Sequence, residues 1–156
     1  MTSAASPIRI TSLQQDPHFR AAVSDRIWKA WWREEGFSFD QIDQRVGESL
    51  GPETVPSALV ASIGTEFLGT VSLIDSDMDE RPAYSPWIAA LWVDPEHRRK
   101  GVGAALVKAA ATMAFDAGED TVYLCATPDN APFYAGLGWR QIEENVAGLT
   151  ILALSR

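Results

Sequence analysis

The chain has 156 residues, of which 46% are hydrophobic and 22% charged, and a formal net charge of −8. That length predicts one domain burying about two thirds of its unfolded surface, and the composition excludes a chain disordered throughout. The charge excludes a general nucleic-acid binder, which needs a basic face against phosphates, and leaves a cationic partner as the milder expectation.

In chain order, MTSAASPIRI carries no hydrophobic signal core, and no run reaches the roughly 18 apolar residues of a membrane span. A soluble, cytoplasmic protein with no membrane partner is expected. IRITSL (8–13) has the composition of a short strand. DPHFRAAVSDRIWKAWWREEG offers Asp16 as N-cap, Pro17 at the first helical position and Gly36 as stop, with Val23, Ile27, Ala30, Trp31 and Glu34 at helical spacing. Three of the six tryptophans lie here, Trp28, Trp31 and Trp32. Core packing is the plainer reading of them and an aromatic-walled cavity the alternative. SFDQIDQRVGESLG pairs Ser38 with Gln41 as a capping box for a second, shorter helix to about Leu50.

ALVASI and FLGTVSLI, separated by GTE, have hairpin chemistry. The acidic loop DSDMDERPAYSP leads into WIAALWV (87–93), an apolar run between Pro86 and Pro95 that suits a central strand buried on both faces. After a basic turn, Val102 to about Ala117 reads as a helix with an inward stripe of Leu106, Ala109, Ala110, Met113 and Ala117 and Gly118 as stop. TVYLCAT is a further strand. Its Cys125 is the single cysteine, with no partner for a disulfide or a metal site, and reads as a buried small hydrophobe in a reducing compartment. NAPFYAGLG can hold a short helix, and WRQIEE and LTILAL close the chain as two strands.

No repeat, low-complexity tract or linker divides this chain. Residues 1–156 are expected to form one α/β domain in the order β-α-α-β-β-β-α-β-α-β-β, a mixed central sheet of about seven strands flanked by about four helices.

The most informative stretch is HRRKGVGAAL (97–106). A strand, a glycine-containing turn and a helix N-terminus aim free N–H groups and the positive end of a helix dipole at one spot, which makes an anion site. Gly101 and Gly103 let a phosphate approach the main chain, and Arg98, Arg99 and Lys100 supply charge. A dinucleotide fingerprint fits worse, because its last glycine or alanine position is Leu106, and the Walker pattern fails for want of G-K-[ST]. The competing reading is an exposed basic turn with a glycine at each bend.

VDPEHRRKGVGAAL resembles the acetyl-coenzyme A signature of the GNAT acetyltransferase superfamily, with Val93, Pro95, Arg98, Gly101 and Gly103 matching. NAPFYAGLGW resembles the family's second landmark through Phe133, Tyr134, Leu137, Gly138 and Trp139. The element order resembles the GNAT order over essentially the whole chain, least so in the first fifty residues. The resemblance implies acetyl-coenzyme A as acyl donor and no metal. It implies that main-chain amides of Arg98, Arg99, Lys100, Gly101, Val102, Gly103 and Ala104 bind the pyrophosphate. Leu91, Trp92 and Val93 would pair with the pantetheine arm, admitted by a splay between the strands at 87–93 and 121–126. Asn130 and Phe133 would line the far side, and Tyr134 would be the general acid that protonates the departing thiolate.

Direct acetyl transfer to an amine also needs an oxyanion donor and a base. A backbone N–H near Leu91 or Trp92 suits the first. Some family members carry a glutamate in the strand corresponding to WIAALWV, which here has no titratable side chain, so the base is unassigned; water relayed to Glu34, Glu35 or Asp75 is one route. His97 reads as a solvated turn residue and His18 as a surface residue. The acceptor groove implied by the resemblance holds Trp31, Trp32, Glu34, Glu35, Phe37 and the acidic loop, with Trp87 and Trp92 bounding the acyl group. An aromatic, acidic groove suits a cationic amine such as a polyamine, an aminoglycoside-like sugar or a peptide N-terminus; a merely solvated loop is the plainer alternative. The expected function is therefore acetyl-coenzyme A dependent N-acetylation of a small-molecule or peptide amine. The alternatives are use or hydrolysis of longer acyl thioesters, and a non-catalytic coenzyme A sensor. A homodimer is implied by resemblance alone.

Overall fold

A computed structural model of the chain describes residues 7–156; residues 1–6, at the start of the expected domain, lie outside the described residues. The strands are β1 (Arg9–Ser12), β2 (Ser57–Ile63), β3 (Glu66–Ile74), β4 (Trp87–Val93), β5 (Thr121–Ala126), β6 (Arg140–Val146) and β7 (Leu149–Ser155). The helices are α1 (Arg20–Ile27), α2 (Phe39–Gly47), α3 (Val102–Asp116) and α4 (Ala131–Gly136). Seven strands and four helices follow one another in the order expected from the sequence.

All seven strands join one sheet in the order β1-β2-β3-β4-β5-β7-β6. Every pairing is antiparallel except β4 with β5. One face carries α3, whose Val102, Leu106, Val107, Ala110, Ala111 and Ala114 are buried against Leu68, Val71, Ile88, Val122 and Leu124. Each fully buried Leu or Val there contributes about 1.5–3 kcal/mol. The expected stripe is thus only partly right: Ala109 and Met113 are half-buried and Ala117 is exposed. The opposite face divides in two. Helices α1 and α2 cover β1 to β3 through Phe19, Val23, Ile27, Ile42 and Val46. Met78, from the loop after β3, covers Trp87 and Ile151 on the other half.

The capping box forms as expected, with Ser38 Oγ accepting from the Gln41 N–H and the Gln41 side chain accepting from the Ser38 N–H. The first helix departs from its expected form. Residues Pro17–Phe19 make a 3₁₀ turn, α1 comes next, and Trp28–Trp32 make a π turn. Asp16 does not cap it, because its carboxylate accepts from Thr11 Oγ1 at 2.8 Å instead. The π turn widens the helical repeat and rotates the residues C-terminal to it. Trp31 is consequently 42% exposed and Glu34 is exposed, off the stripe on which the 3.6-residue period places them.

Candidate active site

Strand β4 departs from the doubly buried strand expected of it, since residues 89–93 are only half-buried. Two features open it. Its register to β5 is a single pair, Trp87 with Tyr123, beside a Tyr123 N–H to Pro86 carbonyl bond of 3.0 Å. Beyond that pair the two parallel strands part. On its other edge, Thr70 faces Trp92 and Ser72 faces Ala89, so Ala90 and Leu91 together oppose Val71. This is a β-bulge, with Ala90 held at φ +53°. A bulge bends its strand and re-aims the side chains after it. Here it moves Leu91 and Val93 onto the α3 face with Ile88, and leaves Ala90 and Trp92 on the face of Trp87.

The anion cradle lies at the α3 end of this fork. Arg99 at φ +64° and Gly101 at φ +81° turn the chain so that no N–H from 99 to 104 donates to a described main-chain carbonyl. The first internal bond to this turn runs from the Ala105 N–H to the Gly101 carbonyl at 3.0 Å. Successive free N–H groups at the head of a 15-residue helix form a nest for an anion. A side chain at Gly103 would start in contact with Val93, Leu91 and Phe133, at 3.7 to 3.9 Å, so the cradle floor runs directly into the fork. Of the three cations, Arg99 and Lys100 are exposed and form no ion pair among the described residues. Arg98 bends back: its Nε donates to the Val93 carbonyl at 2.8 Å and its guanidinium lies 4.7 Å from the centre of the Trp92 ring. His97 is not the free turn residue expected, because its Nε2 meets Glu66 Oε2 at 3.0 Å and ties the turn to β3.

Helix α4 closes the far side. Phe133 is 45% exposed over Gly103 and stands edge-on to Tyr134 at 5.0 Å. Asn130 immediately precedes α4, its N–H bonded to the Thr127 carbonyl at 3.0 Å. Tyr134 packs on the α3-face core, and burial pushes its phenol above the usual range, with a smaller contribution from Cys125.

On the opposite face, Trp31 stands edge-on to Trp92 at 6.4 Å and Trp32 edge-on to Phe37 at 5.3 Å. Trp28 and Trp32 are half-buried against the α1–α2 core, as the plainer reading expects, whereas Trp31 is open. Trp87 is fully buried, its indole donating to the Tyr84 carbonyl, beneath a Tyr84–Tyr123 stack of 4.5 Å. It is a floor to this region rather than an open wall. The loop 75–86 is fastened over it by Arg81, which grips Glu143 of β6 through Nε and Nη2, and by the Tyr84 hydroxyl, 2.7 Å from the same carboxylate. Hydrogen bonds from Arg81 first, then Tyr84, bring Glu143 down to about 2.

Two contributors, Asp94 and Asp77, are not evident in the sequence. Asp94, buried at the end of β4, accepts from Arg26 at 2.9 and 3.2 Å and from the Trp92 indole at 2.8 Å. Burial alone would raise this carboxyl, but the Arg26 and Trp92 hydrogen bonds outweigh it and hold it below the usual range. Asp77, in the acidic loop, accepts from the Cys125 thiol at 3.3 Å. Cys125 is half-buried and hydrogen-bonded, not the inert core residue expected, and burial followed by the Asp77 charge pushes it up to about 12. The only sequence signals were position: Asp94 directly ends an apolar strand, and Asp77 lies in a carboxylate-rich loop.

The fold is an α/β sheet forked at one parallel pair, with a turn of unpaired main-chain N–H groups at the fork. The sequence model of the "Acetyltransferase (GNAT) family" matches residues 24–139, most of the chain, and the chain belongs to that family. Its fold is shared with an aminoglycoside 6'-N-acetyltransferase complexed with coenzyme A, at 18% identity and a TM-score of 0.73 over 94% of this chain and 96% of that one. An aminoglycoside 6'-acetyltransferase type Ii is similar at 23% identity and a TM-score of 0.72, with the same coverage. The paia N-acetyltransferase of Thermoplasma acidophilum, in complex with coenzyme A, is similar at 19% identity and a TM-score of 0.62 over 96% and 99% of the two chains. No helix among the described residues is long and apolar enough to cross a membrane.

Proposed function

We propose that the protein is an acetyl-coenzyme A dependent N-acetyltransferase acting on the primary amine of a small or peptidic, cationic acceptor. The observation that carries this is the continuity of the 99–104 cradle with the β4–β5 fork. The free N–H groups from Arg99 to Ala104 would hold a pyrophosphate with help from Arg99 and Lys100. The β5-facing edge of β4 at Leu91–Val93 has no strand partner and offers main-chain groups to an amide-bearing arm, as an added strand would use them, although the Val93 carbonyl already accepts from Arg98. The bulge frees main chain at Ala90 and Leu91 from regular pairing, which supports an N–H there as donor to a developing oxyanion. Tyr134, kept protonated by burial, supplies a proton to the leaving sulfur.

The acceptor reading rests on the other face. Trp31 and Trp92 present aromatic surface, and Asp75, Asp77, Asp79 and Glu80 cluster in the adjoining loop. Aromatic rings and carboxylates together favour an ammonium group. The aminoglycoside acetyltransferases of like fold fit such an acceptor without fixing which amine this chain takes. The test is calorimetry with acetyl-coenzyme A, then free-thiol release in the presence of varied amines. Micromolar binding with amine-dependent thiol release is expected; binding without release for any amine leaves a sensor, and no binding ends the reading.

A further inference from the structure

The fork has a proton acceptor, although β4 contains no titratable side chain. Cys125 faces away from α3, on the same face as Trp87 and Trp92. It is two residues past Tyr123, whose pairing with Trp87 is the last before β4 and β5 separate. Whatever touches Cys125 from outside is therefore at the mouth of the gap, on the acceptor side. Asp77 Oδ2 does so at 3.3 Å. The loop that brings it there is anchored close to Asp77, by buried Met78 beneath and by Arg81 and Tyr84 on Glu143.

The other carboxylates in reach of the acceptor face differ from it. Asp75 accepts from Ser85 Oγ at 3.1 Å, Glu143 is held by Arg81, and Glu34 and Glu35 lie beyond the π turn with no hydrogen bond to β4 or β5 among the described residues; Asp77, exposed like them, is the one that touches β5. Asp77 has no cation partner among the described residues. Its one hydrogen-bond donor is a weak thiol, so lone pairs are free for a ligand. Asp77 stands at the exposed rim of the loop, but atoms crowded around its carboxyl cost it hydration and push it above the usual range, and the thiol contact offsets only part of that. A raised carboxyl is a better base near neutral pH than a salt-bridged one.

We propose that Asp77 is the general base of the reaction, receiving the acceptor ammonium and taking one of its protons. This rests on the acetyltransferase reading proposed for the fork. Asp77 carboxylate takes a proton from the ammonium; the freed amine forms the N–C bond to the acetyl carbon as the C–S bond breaks. Tyr134 gives its proton to the sulfur and is reprotonated by the second proton that the nitrogen loses. Asp77 returns its proton to solvent, so one proton is released per acetyl transferred. Cys125, protonated far above neutral pH, orients the carboxylate by its thiol hydrogen bond and forms no acyl bond itself.

The experiment compares the unaltered protein with Asp77→Asn and Asp77→Glu, using acetyl-coenzyme A with kanamycin A, spermidine and a short peptide bearing a free N-terminus. Acetyl-coenzyme A affinity is measured by calorimetry and kcat/KM from pH 6 to 9. The groups bearing on Asp77 in that range are the Cys125 thiol and, beyond it, the Tyr134 phenol, both still protonated. Asp77→Asn is expected to keep cofactor affinity and lose about 100-fold in kcat/KM at pH 7. Its residual rate should climb about tenfold per pH unit as free amine forms, and Asp77→Glu should restore part of the loss. A loss under threefold, or a uniform loss that neither rises with pH nor responds to glutamate, overturns the assignment while leaving the acetyltransferase reading intact. An unaltered protein that binds acetyl-coenzyme A but acetylates none of the three amines overturns the reading on which Asp77's role rests.

Discussion

The Trp92 indole and the Asp94 carboxylate, two residues apart at the end of β4, are joined by a 2.8 Å hydrogen bond that Arg26 of α1 completes on the same carboxylate. Trp92 thereby connects three parts of the fold: Arg98 of the turn before α3 lies over its ring, Trp31 of the π turn meets it edge-on, and α1 holds it through Asp94.

Replacing Arg26 by methionine keeps an unbranched apolar stem and removes the guanidinium with its charge. Asp94, 9% exposed at its side chain, then retains the Trp92 indole as its side-chain donor among the described residues. The expected cost is about 1–3 kcal/mol of folding stability, the penalty for an under-satisfied buried polar group. Urea unfolding of the two proteins measures it.

Gly103→Glu places a carboxylate in the cradle, its stem starting in ordinary contact with Val93 and Phe133 at 3.7 Å. Both the repulsion and the bulk oppose a pyrophosphate. Calorimetry with acetyl-coenzyme A should show at least a roughly 100-fold loss of affinity, with an unfolding midpoint close to that of the unaltered protein.

Tyr134→Phe preserves the ring that packs on the α3-face core and removes only the hydroxyl that carries the proton. The expected result is a loss of about 100-fold in kcat with acetyl-coenzyme A affinity unchanged, the signature of a missing general acid. Equal turnover by the two proteins would take Tyr134 out of the mechanism.

Acid pH should release the 75–86 loop before the sheet. The folded Glu143 carboxyl lies at about 2, below its ordinary 4.5, because Arg81 and Tyr84 bind the ionised form. A depressed carboxyl adds stability above the unfolded value, and that addition disappears as pH falls from about 4.5 to about 2. Thermal unfolding midpoints of the unaltered protein and Glu143→Gln should therefore differ at pH 6 and converge by pH 2.

Much of the fold was legible in the sequence because local chemistry and tertiary structure agree there. Ser38 and Gln41 cap α2 with no help from the rest of the fold, and the Gly64 turn joins β2 to β3 as its composition requires. The Gly101 turn was legible as a turn because the chain there takes φ +81°, which glycine adopts without strain. What failed to read was parity. A period of two places Trp87, Ala89, Leu91 and Val93 on one face of β4, but the bulge at Ala90 and Leu91 shifts the count, and nothing in WIAALWV announces an alanine at φ +53°. The π turn at Trp28–Trp32 does the same to the first helix. Asp77 and Asp94 escaped notice because their meaning comes from partners 48 and 68 residues away.

The lone Trp87–Tyr123 pair makes the middle of the sheet a book bound by a single stitch. One leaf runs from β1 to β4, the other from β5 to β6, and each carries its own complete ladder of strand pairs. The ligand proposed to lie between the leaves would supply the rungs that the polypeptide omits, so the stiffness of this protein would be finished by what it binds.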